Sequence, residues 1–191
     1  MPEQTPDLTP TGGQTVGPFF AYALLYDGCD QLVPPGSPGA IRLHGHVYDG
    51  AGEPVPDALV EIRQADPSGT VPVAEGSYRR GGFTFTGWGR SGTDPAGHYG
   101  FTTLEPGARS QSEAPFFAVT VFARGLLNRL FTRIYLPDNT SALEQDPFLG
   151  TLDEQARATV IAHRDGPTDL RFDIHLQGDR ETVFLTYPRH Q

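Results

Sequence analysis

The sequence predicts an all-β protein: a single β-sandwich domain, with an N-terminal arm at residues 1–20 and one short late helix. The first observation behind this prediction is a series of short apolar runs, several of which alternate apolar and polar residues. The second is the 23 Gly and 18 Pro that lie between those runs, too many for a mainly helical chain. A length of 191 residues suits one domain, which we expect to span 1–191.

Eight segments have the pattern of β-strands. The segment IRLHGHVY at 41–48 alternates, with its odd-numbered residues on an apolar face and His44 and His46 on a polar face. LRFDIHL at 170–176 alternates in the same way. The other predicted strands are 58–64, 83–88, 98–104, 115–122, 131–136 and 181–187.

The only helix that the sequence predicts is TLDEQARATVIA at 151–162. A threonine lies near its start, acidic residues occupy its first turn, and apolar residues follow at helical spacing. We therefore expect one helix, late in the chain.

Composition excludes several classes of function. The formal net charge of -9 argues against nucleic acid as a partner, and no run of eighteen apolar residues is present to span a membrane. All 14 basic residues are Arg, so neither a Schiff-base lysine nor a P-loop lysine is possible. The polar, Pro-rich N-terminus is unlike a secretory signal, and the single cysteine, Cys29, suits a reducing compartment; both predict a cytoplasmic protein.

Two motifs permit a functional and a purely structural interpretation. GWGRSG at 87–92 matches G-x-G-x-x-G but leads into a turn and a strand rather than a helix, so we interpret its glycines as turn residues. His44 and His46 have the spacing of two metal ligands on one strand face, but no nearby acid in the sequence completes a set.

The segment TGGQTVGPFF at 11–20 is the most distinctive part of the arm. Gly17 before Pro18 gives a restricted, exposed backbone, Thr15 adds a hydroxyl, and the two phenylalanines that follow could anchor the segment in a core. The arm then either packs on the fold in a purely structural role or forms the edge of a binding pocket.

Arg124 directly follows the apolar strand at 115–122. Its guanidinium could receive a carboxylate ligand in a fork-like pairing, or it could cap a turn or form an ordinary ion pair. The residues alone leave both interpretations open.

Six stretches together resemble the intradiol ring-cleaving dioxygenases, and within that family the α-type subunit that accompanies a catalytic β subunit. The similarity runs from about Thr9 to Phe184. The stretches are GQTVGPFF, HGHVYDGAGEPVPDALVEIRQAD, GRSGTDPAGHYGFTTLEPG, FARG, FTRIYL and LRFDIHLQGDRETVF. The resemblance implies a β-sandwich fold and an enzyme that cleaves protocatechuate with O2 to 3-carboxy-cis,cis-muconate.

In this family the β subunit binds Fe(III) through two tyrosinates and two histidines. Carried onto this chain, one tyrosine falls on Arg109, the two histidines fall on Phe116 and Ala118, and a neighbouring arginine falls on Glu113. The other tyrosine falls near 81–83, where none is present, although Tyr78 lies nearby. The resemblance therefore implies that this chain binds no metal and supplies no catalytic residue.

The resemblance instead implies that the chain completes the pocket of a β partner that holds the Fe(III), within a larger assembly of αβ units. The positions that match substrate-proximal contacts are Thr15, Gly17 and Pro18, and Arg124 matches a positive group at the pocket mouth that favours an anionic aromatic substrate. Two other hypotheses remain: a free-standing β-sandwich binding module without an enzymatic partner, and an enzyme that binds a metal through His44, His46 and an unrecognised acid.

Overall fold

The structure is a computed structural model that describes residues 11–73 and 84–187. In these residues nine strands form two sheets, and three short α-helices and one 3₁₀ helix lie outside them. The strands are β1 (Ala40–Tyr48), β2 (Leu59–Gln64), β3 (Trp88–Gly92), β4 (His98–Leu104), β5 (Phe116–Phe122), β6 (Leu130–Tyr135), β7 (His163–Gly166), β8 (Asp169–Arg171) and β9 (Ile174–His175). The helices are α1 (Phe19–Leu24), α2 (Thr140–Gln145), the 3₁₀ turn Leu149–Thr151 and α3 (Glu154–Ala158).

The two sheets have different topologies. One has the order β4-β1-β8-β7, with β9 also paired to β1; β1 is antiparallel to β4 and parallel to β8 and β9. The other has the order β3-β2-β5-β6 and is antiparallel throughout. The main apolar core contains side chains from both sheets, which confirms the predicted all-β sandwich.

Strand alternation predicts which side chains enter this core. Leu43 and Val47 of β1 have no exposed surface, and neither do Leu170 and Ile174 of the late strands. Burying such a side chain fully stabilises a fold by about 1.5–3 kcal/mol. The predicted strands at 41–48, 58–64, 98–104, 115–122 and 131–136 are confirmed, to within a residue or so at their ends.

The strand predicted at 170–176 is split into β8 and β9. At the break, Asp173 Oδ1 accepts a hydrogen bond of 3.0 Å from the backbone N–H of His46, in place of a backbone carbonyl. Phe172 still donates its N–H to the His44 carbonyl at 2.8 Å, so the segment stays beside β1. A side chain that takes over one position of the ladder ends regular pairing without a loss of hydrogen bonds.

The strand predicted at 181–187 is not present. Much of the hydrogen bonding of this segment is to hydroxyl side chains; Val183 donates its N–H to Thr159 Oγ1 at 3.1 Å, and its carbonyl accepts from Thr132 Oγ1 at 2.7 Å. Because these partners belong to different elements, no ladder forms.

The prediction of a strand at 83–88 is wrong in position. The strand begins at Trp88, and Phe83 lies outside the described residues. The prediction that the glycines of GWGRSG form a turn is wrong for Gly89 and Gly92, which lie inside β3. A Cβ at Gly89 would lie 2.5 Å from Leu32 Cδ1 and 3.1 Å from the Cys29 carbonyl oxygen, because the segment after α1 packs directly on this strand.

The late helix is shorter than the predicted 151–162, and it is not the only one. α3 begins after Asp153, whose carboxylate accepts from the Ala156 N–H at 2.8 Å, and ends at Ala158. Beyond it the chain turns extended, since the Val160 carbonyl and the Ala162 N–H both bond to the backbone of Tyr135. Pairing with the end of β6 therefore overrides the helical pattern. No helix in the described residues is long and apolar enough to cross a bilayer.

Candidate functional site

The arm and the turn after β5 meet through one hydrogen bond. The Gly125 N–H donates to Thr15 Oγ1 at 2.9 Å, although the two residues are 110 positions apart. Gly125 has a φ of +91°, which lets the turn reverse sharply after Arg124. The structure therefore brings together Thr15 and Arg124, two of the residues predicted for the site.

Gly17 and Pro18 lie at the start of α1, further along the arm. Pro18 has helical backbone angles at the N-cap, and the Gly17 carbonyl accepts from the Phe20 N–H at 3.1 Å. Both residues are exposed, and a Cβ at Gly17 would meet nothing within 4 Å. Nothing in the described part of this chain requires a glycine there.

Beside these residues runs a groove of about 310 Å³. Phe20 closes one side, its ring centroid 5.3 Å from that of Phe122, so one of the two phenylalanines anchors the arm as expected. Phe19 does not, because 77% of its surface is exposed. The groove is lined by Gln14, Thr15, Val16, Phe20, Phe122, Ala123, Leu126, Leu127, Asn128 and Arg129.

Arg124 forms an ion pair with Asp57, in which Nε lies 2.5 Å from Oδ2. The Arg124 side chain is 52% exposed and that of Asp57 only 16%. The terminal nitrogens of Arg124 make no hydrogen bond within the described residues, so the pair orients the guanidinium and leaves these donors toward solvent. Asp57 lies in the turn-rich connection between β1 and β2, where no sequence pattern marks it as functional.

Phe116 and Ala118, the positions matched to the family's histidines, lie on β5. Their side chains project from the face opposite the core, because the intervening Phe117 is fully buried in it. Arg109 pairs with Glu113 in a fork, with Nη2 at 2.9 and 3.0 Å from the two carboxylate oxygens. The tyrosine position near 81–83 and Tyr78 lie outside the described residues.

These residues do not fit iron. A phenyl ring and a methyl group have no lone pair to donate, and a guanidinium is cationic and protonated. Within residues 11–73 and 84–187, no three His, Cys, Asp or Glu side chains are placed to hold a metal ion. The chemistry of the donor set, rather than its spacing, excludes the family's metal from this position.

His44 and His46 belong to a cluster of rings on the outer face of β1. His98 lies opposite His46 in the register with β4, with their ring centroids 5.2 Å apart. Tyr48 stacks on His175, with their ring centroids 5.1 Å apart. Partial burial is the main cause of a lowered pKa at His44, His98 and His175.

Acids lie near this cluster, although within the described residues they complete no set of three metal ligands. His46 Nδ1 is 3.5 Å from Asp173 Oδ1, and His44 Nε2 is 4.0 Å from Asp165 Oδ2. Asp173 is also held by Arg171, and its oxygen accepts from the His46 backbone, so its lone pairs serve the sheet. This arrangement is that of a structural ion-pair network on a strand face.

The matching family model is that of the dioxygenases, and it covers residues 25–120, half of the chain. The chain therefore belongs to this dioxygenase family. Its fold is shared with the dioxygenase domain of a carbohydrate-binding fusion protein from a Streptomyces species, with a TM-score of 0.56 and 22% identity over 78% of this chain and 87% of that one. A catechol 1,2-dioxygenase from an Acinetobacter species gives a TM-score of 0.54 and 20% identity over 83% of this chain and 60% of that one.

Within the family, the chain is similar to alpha chains of protocatechuate 3,4-dioxygenase. It is 38% identical to the alpha chain from Burkholderia cepacia over 93% of this chain and 98% of that one. The alpha chain from Pseudomonas putida is 34% identical over 94% and 98% of the two chains. The beta chain from Burkholderia cepacia is 30% identical over 87% of this chain and 75% of that one.

Proposed function

We propose that this chain is the alpha subunit of a protocatechuate 3,4-dioxygenase. It completes the active-site pocket of a beta subunit that holds Fe(III) and cleaves protocatechuate with O2 to 3-carboxy-cis,cis-muconate. The observation that carries the proposal is similarity to two alpha chains over at least 93% of this chain and 98% of each of theirs. This full-length match favours an enzyme subunit over a free-standing binding module.

The iron belongs to the partner in this proposal. Support comes from β5, which carries Phe116 and Ala118 at the positions that the resemblance matches to the ligands, and from Arg109, whose guanidinium is already paired with Glu113. The cluster around His44 and His46 gives no alternative site, since within the described residues it contains no suitable set of three ligands. The metal-enzyme hypothesis based on these histidines is therefore not favoured.

A beta-type partner, within a larger assembly of αβ units, is the second part of the proposal. This chain is similar to a beta chain as well as to alpha chains. Such similarity is expected if the two paired subunits share a common ancestor. α1 offers a surface for such a partner, because Phe19 and Tyr22 are 77% and 81% exposed. Aromatic side chains so exposed are typical of interface anchors. The proposed location is the cytoplasm, in keeping with one buried, unpaired cysteine, Cys29.

The proposed contribution to the pocket comes from Thr15, Gly17, Pro18 and Arg124. Thr15 is tied to the turn that carries Arg124, so the arm and the guanidinium would reach the partner as one unit. The free donors of Arg124 suit a carboxylate such as that of protocatechuate. The carboxylate of Asp57 moderates this positive charge, so Arg124 favours an anion without being an isolated charge.

Iron content and partner identity test the proposal together. The chain is purified from its native cells through a tag, co-purifying proteins are identified, and iron is measured before and after the subunits are separated. We expect roughly one iron per αβ pair, a partner with Tyr and His ligands, and iron that remains with that partner. Dioxygenase activity toward protocatechuate should be lost on separation and return on mixing.

Stoichiometric iron on this chain alone would contradict the interpretation of Phe116 and Ala118. A matched control is the double variant His44→Ala with His46→Ala, whose complex should keep its full iron content. Loss of iron from that variant complex would instead restore the histidine hypothesis.

A further inference from the structure

A cavity of about 410 Å³ lies on the outer face of the second sheet. The register of the sheet places Arg63 of β2 opposite Ala118 of β5, and Ala118 opposite Arg133 of β6. Neighbouring strands lie about 4.8 Å apart, so the two arginines start from backbone positions about 10 Å from each other. The small alanine between them leaves the space over the middle strand open.

The arginines on this face are not equally compensated. Arg109 is neutralised by its fork with Glu113, and Glu61, the acid in the cavity wall, is held by Arg90 at 2.7 Å. Arg63 and Arg133 have no carboxylate within 4.0 Å among residues 11–73 and 84–187. Two uncompensated guanidinium groups in one cavity repel each other, and an anion between them would remove that cost.

Arg133 is held in position by neutral partners. Its Nη1 donates to the Tyr135 hydroxyl at 3.0 Å, and its guanidinium carbon lies 4.3 Å from the centroid of the Phe116 ring. Arg63 Nη2 makes one weak hydrogen bond, 3.3 Å, to the Pro72 carbonyl. Each group therefore keeps several N–H donors for a ligand, and Arg133 is pre-organised.

The remaining wall is largely apolar and aromatic. A smaller pocket of about 120 Å³ adjoins the cavity and shares Arg63, Arg109, Phe116 and Ala118 with it. Together they have the size of a small-ligand site. Apolar walls favour an anion with a carbon body over an inorganic one, because the walls cannot solvate a fully hydrated ion.

We propose that this cavity binds a small organic carboxylate, whose charged group lies over Ala118 between Arg63 and Arg133 and whose flat apolar body packs on the aromatic wall of the cavity. The site is formed by residues of this chain alone. It needs no iron and does not rest on the proposed function, and it is on a different part of the chain from Thr15 and Arg124.

The experiment measures binding of 4-fluorobenzoate by ¹⁹F NMR to the full-length chain in its purified complex. Two variants remove different parts of the site: Arg133→Met removes a charge, and Ala118→Phe fills the space without changing charge. Arg180→Met is the matched control, since Arg180 is exposed in a turn outside the cavity. A neutral analogue, 4-fluorobenzamide, separates recognition of the carboxylate from burial of the ring.

We expect one saturable binding component that weakens at least tenfold in both Arg133→Met and Ala118→Phe and is unchanged in Arg180→Met. The benzamide should bind at least tenfold more weakly than the benzoate. The proposal is wrong if no component responds to the variants, if only one of two folded variants weakens binding, or if the benzamide binds equally well. If Arg133→Met fails to fold, Ala118→Phe and the benzamide comparison decide alone. Binding of 4-fluorobenzoate at a site on the partner would be unchanged in every variant. A negative result for this cavity therefore leaves the subunit proposal intact.

Discussion

At the scale of single residues, the neighbours of Arg124 set the orientation of its guanidinium. Its ion pair with Asp57 sets the direction of the guanidinium, and the bond from Gly125 to Thr15 fixes the backbone beside it. The sequence could single out Arg124 and Thr15 but not their proximity, because a separation of 110 positions is closed only by the fold.

Replacing Arg124 with Met should raise KM for protocatechuate and leave kcat and iron content nearly unchanged. A charge-assisted hydrogen bond is worth about 1–2 kcal/mol at a partly exposed site, which corresponds to an increase of about fivefold to thirtyfold. Initial rates of O2 uptake by the assembled enzyme measure this change. Catechol, which has no carboxylate, should show no such increase, and Arg180→Met should behave like the parent with both substrates. An equal loss with both substrates would show that Arg124 serves structure rather than recognition.

Two buried tyrosines link stability to alkaline pH. Burial raises the pKa of Tyr135 to about 12, a rise that its bond from Arg133 only partly opposes. Burial also raises the pKa of Tyr99 well above its usual range; its hydroxyl donates to the Phe172 carbonyl at 2.6 Å. In both cases folding favours the protonated, neutral form.

The contribution of these two tyrosines to the free energy of unfolding should therefore stay constant below pH 10 and fall as the pH rises toward 12. For Tyr135, a pKa of about 12 against an ordinary value of 10 corresponds to roughly 3 kcal/mol lost across that window. Urea unfolding at a series of pH values measures the slope. Tyr135→Phe should be less stable at neutral pH but show a shallower alkaline decline, whereas Tyr22→Phe, at an exposed position, should keep the full decline. An unchanged slope in Tyr135→Phe would remove Tyr135 as a cause.

At the scale of elements, the central strand β1 depends on one glycine. Gly45 lies opposite Tyr99 of β4, and a Cβ there would lie 1.8 Å from the Phe172 carbonyl oxygen. That same oxygen accepts the Tyr99 hydroxyl, so it cannot move away without breaking a buried hydrogen bond. The sequence showed Gly45 only as a member of the apolar face.

Gly45→Ala should destabilise the protein by about 3 kcal/mol or more, because the backbone of the β8–β9 connection must shift. Gly12→Ala is the control, since a Cβ there meets nothing within 4 Å. Urea unfolding followed by tryptophan fluorescence gives both values. If the free energies of unfolding of the two variants differ by less than about 0.5 kcal/mol, the close approach at Gly45 does not contribute to stability.

The helices also show how elements depend on context. The pattern at 151–162 was typical of a helix, yet only Glu154–Ala158 is helical, because the following residues gain backbone hydrogen bonds from Tyr135. Helical propensity is worth only tenths of a kcal/mol per residue, so such pairing overrides it. α1 and α2 were not predicted, since six-residue helices are too short to show a clear period.

At the scale of the whole molecule, α1 and the arm form the surface that we expect to meet the partner. Phe19 and Tyr22 lie on α1, which is fixed to the second sheet by the bond from Arg90 Nη1 to the Leu24 carbonyl, 2.9 Å. A rigid helix that presents two aromatic rings costs little entropy on binding.

Replacing both Phe19 and Tyr22 with Ser should weaken assembly with the beta subunit without unfolding the chain. Loss of two anchors, each worth about 2 kcal/mol, predicts a dissociation constant raised at least a hundredfold. Analytical ultracentrifugation over a dilution series measures this constant. Val73→Ser, which changes a side chain 94% exposed elsewhere, should assemble normally. Normal assembly of the double variant would place the interface on another surface.

The sequence by itself determined the sandwich class and the faces of most strands, because these follow from local patterns that the fold does not alter. Its resemblance to the family predicted that Phe116 and Ala118 fall at the iron-ligand positions, and neither side chain has a donor for a metal. Only the tertiary structure decided that Thr15 meets the turn of Arg124, that Asp57 neutralises part of its charge, and that Arg63 and Arg133 face one cavity across Ala118. The physical reason is that each of these contacts joins strands or segments far apart in the chain, and strand register and packing, rather than neighbouring residues, set which side chains meet.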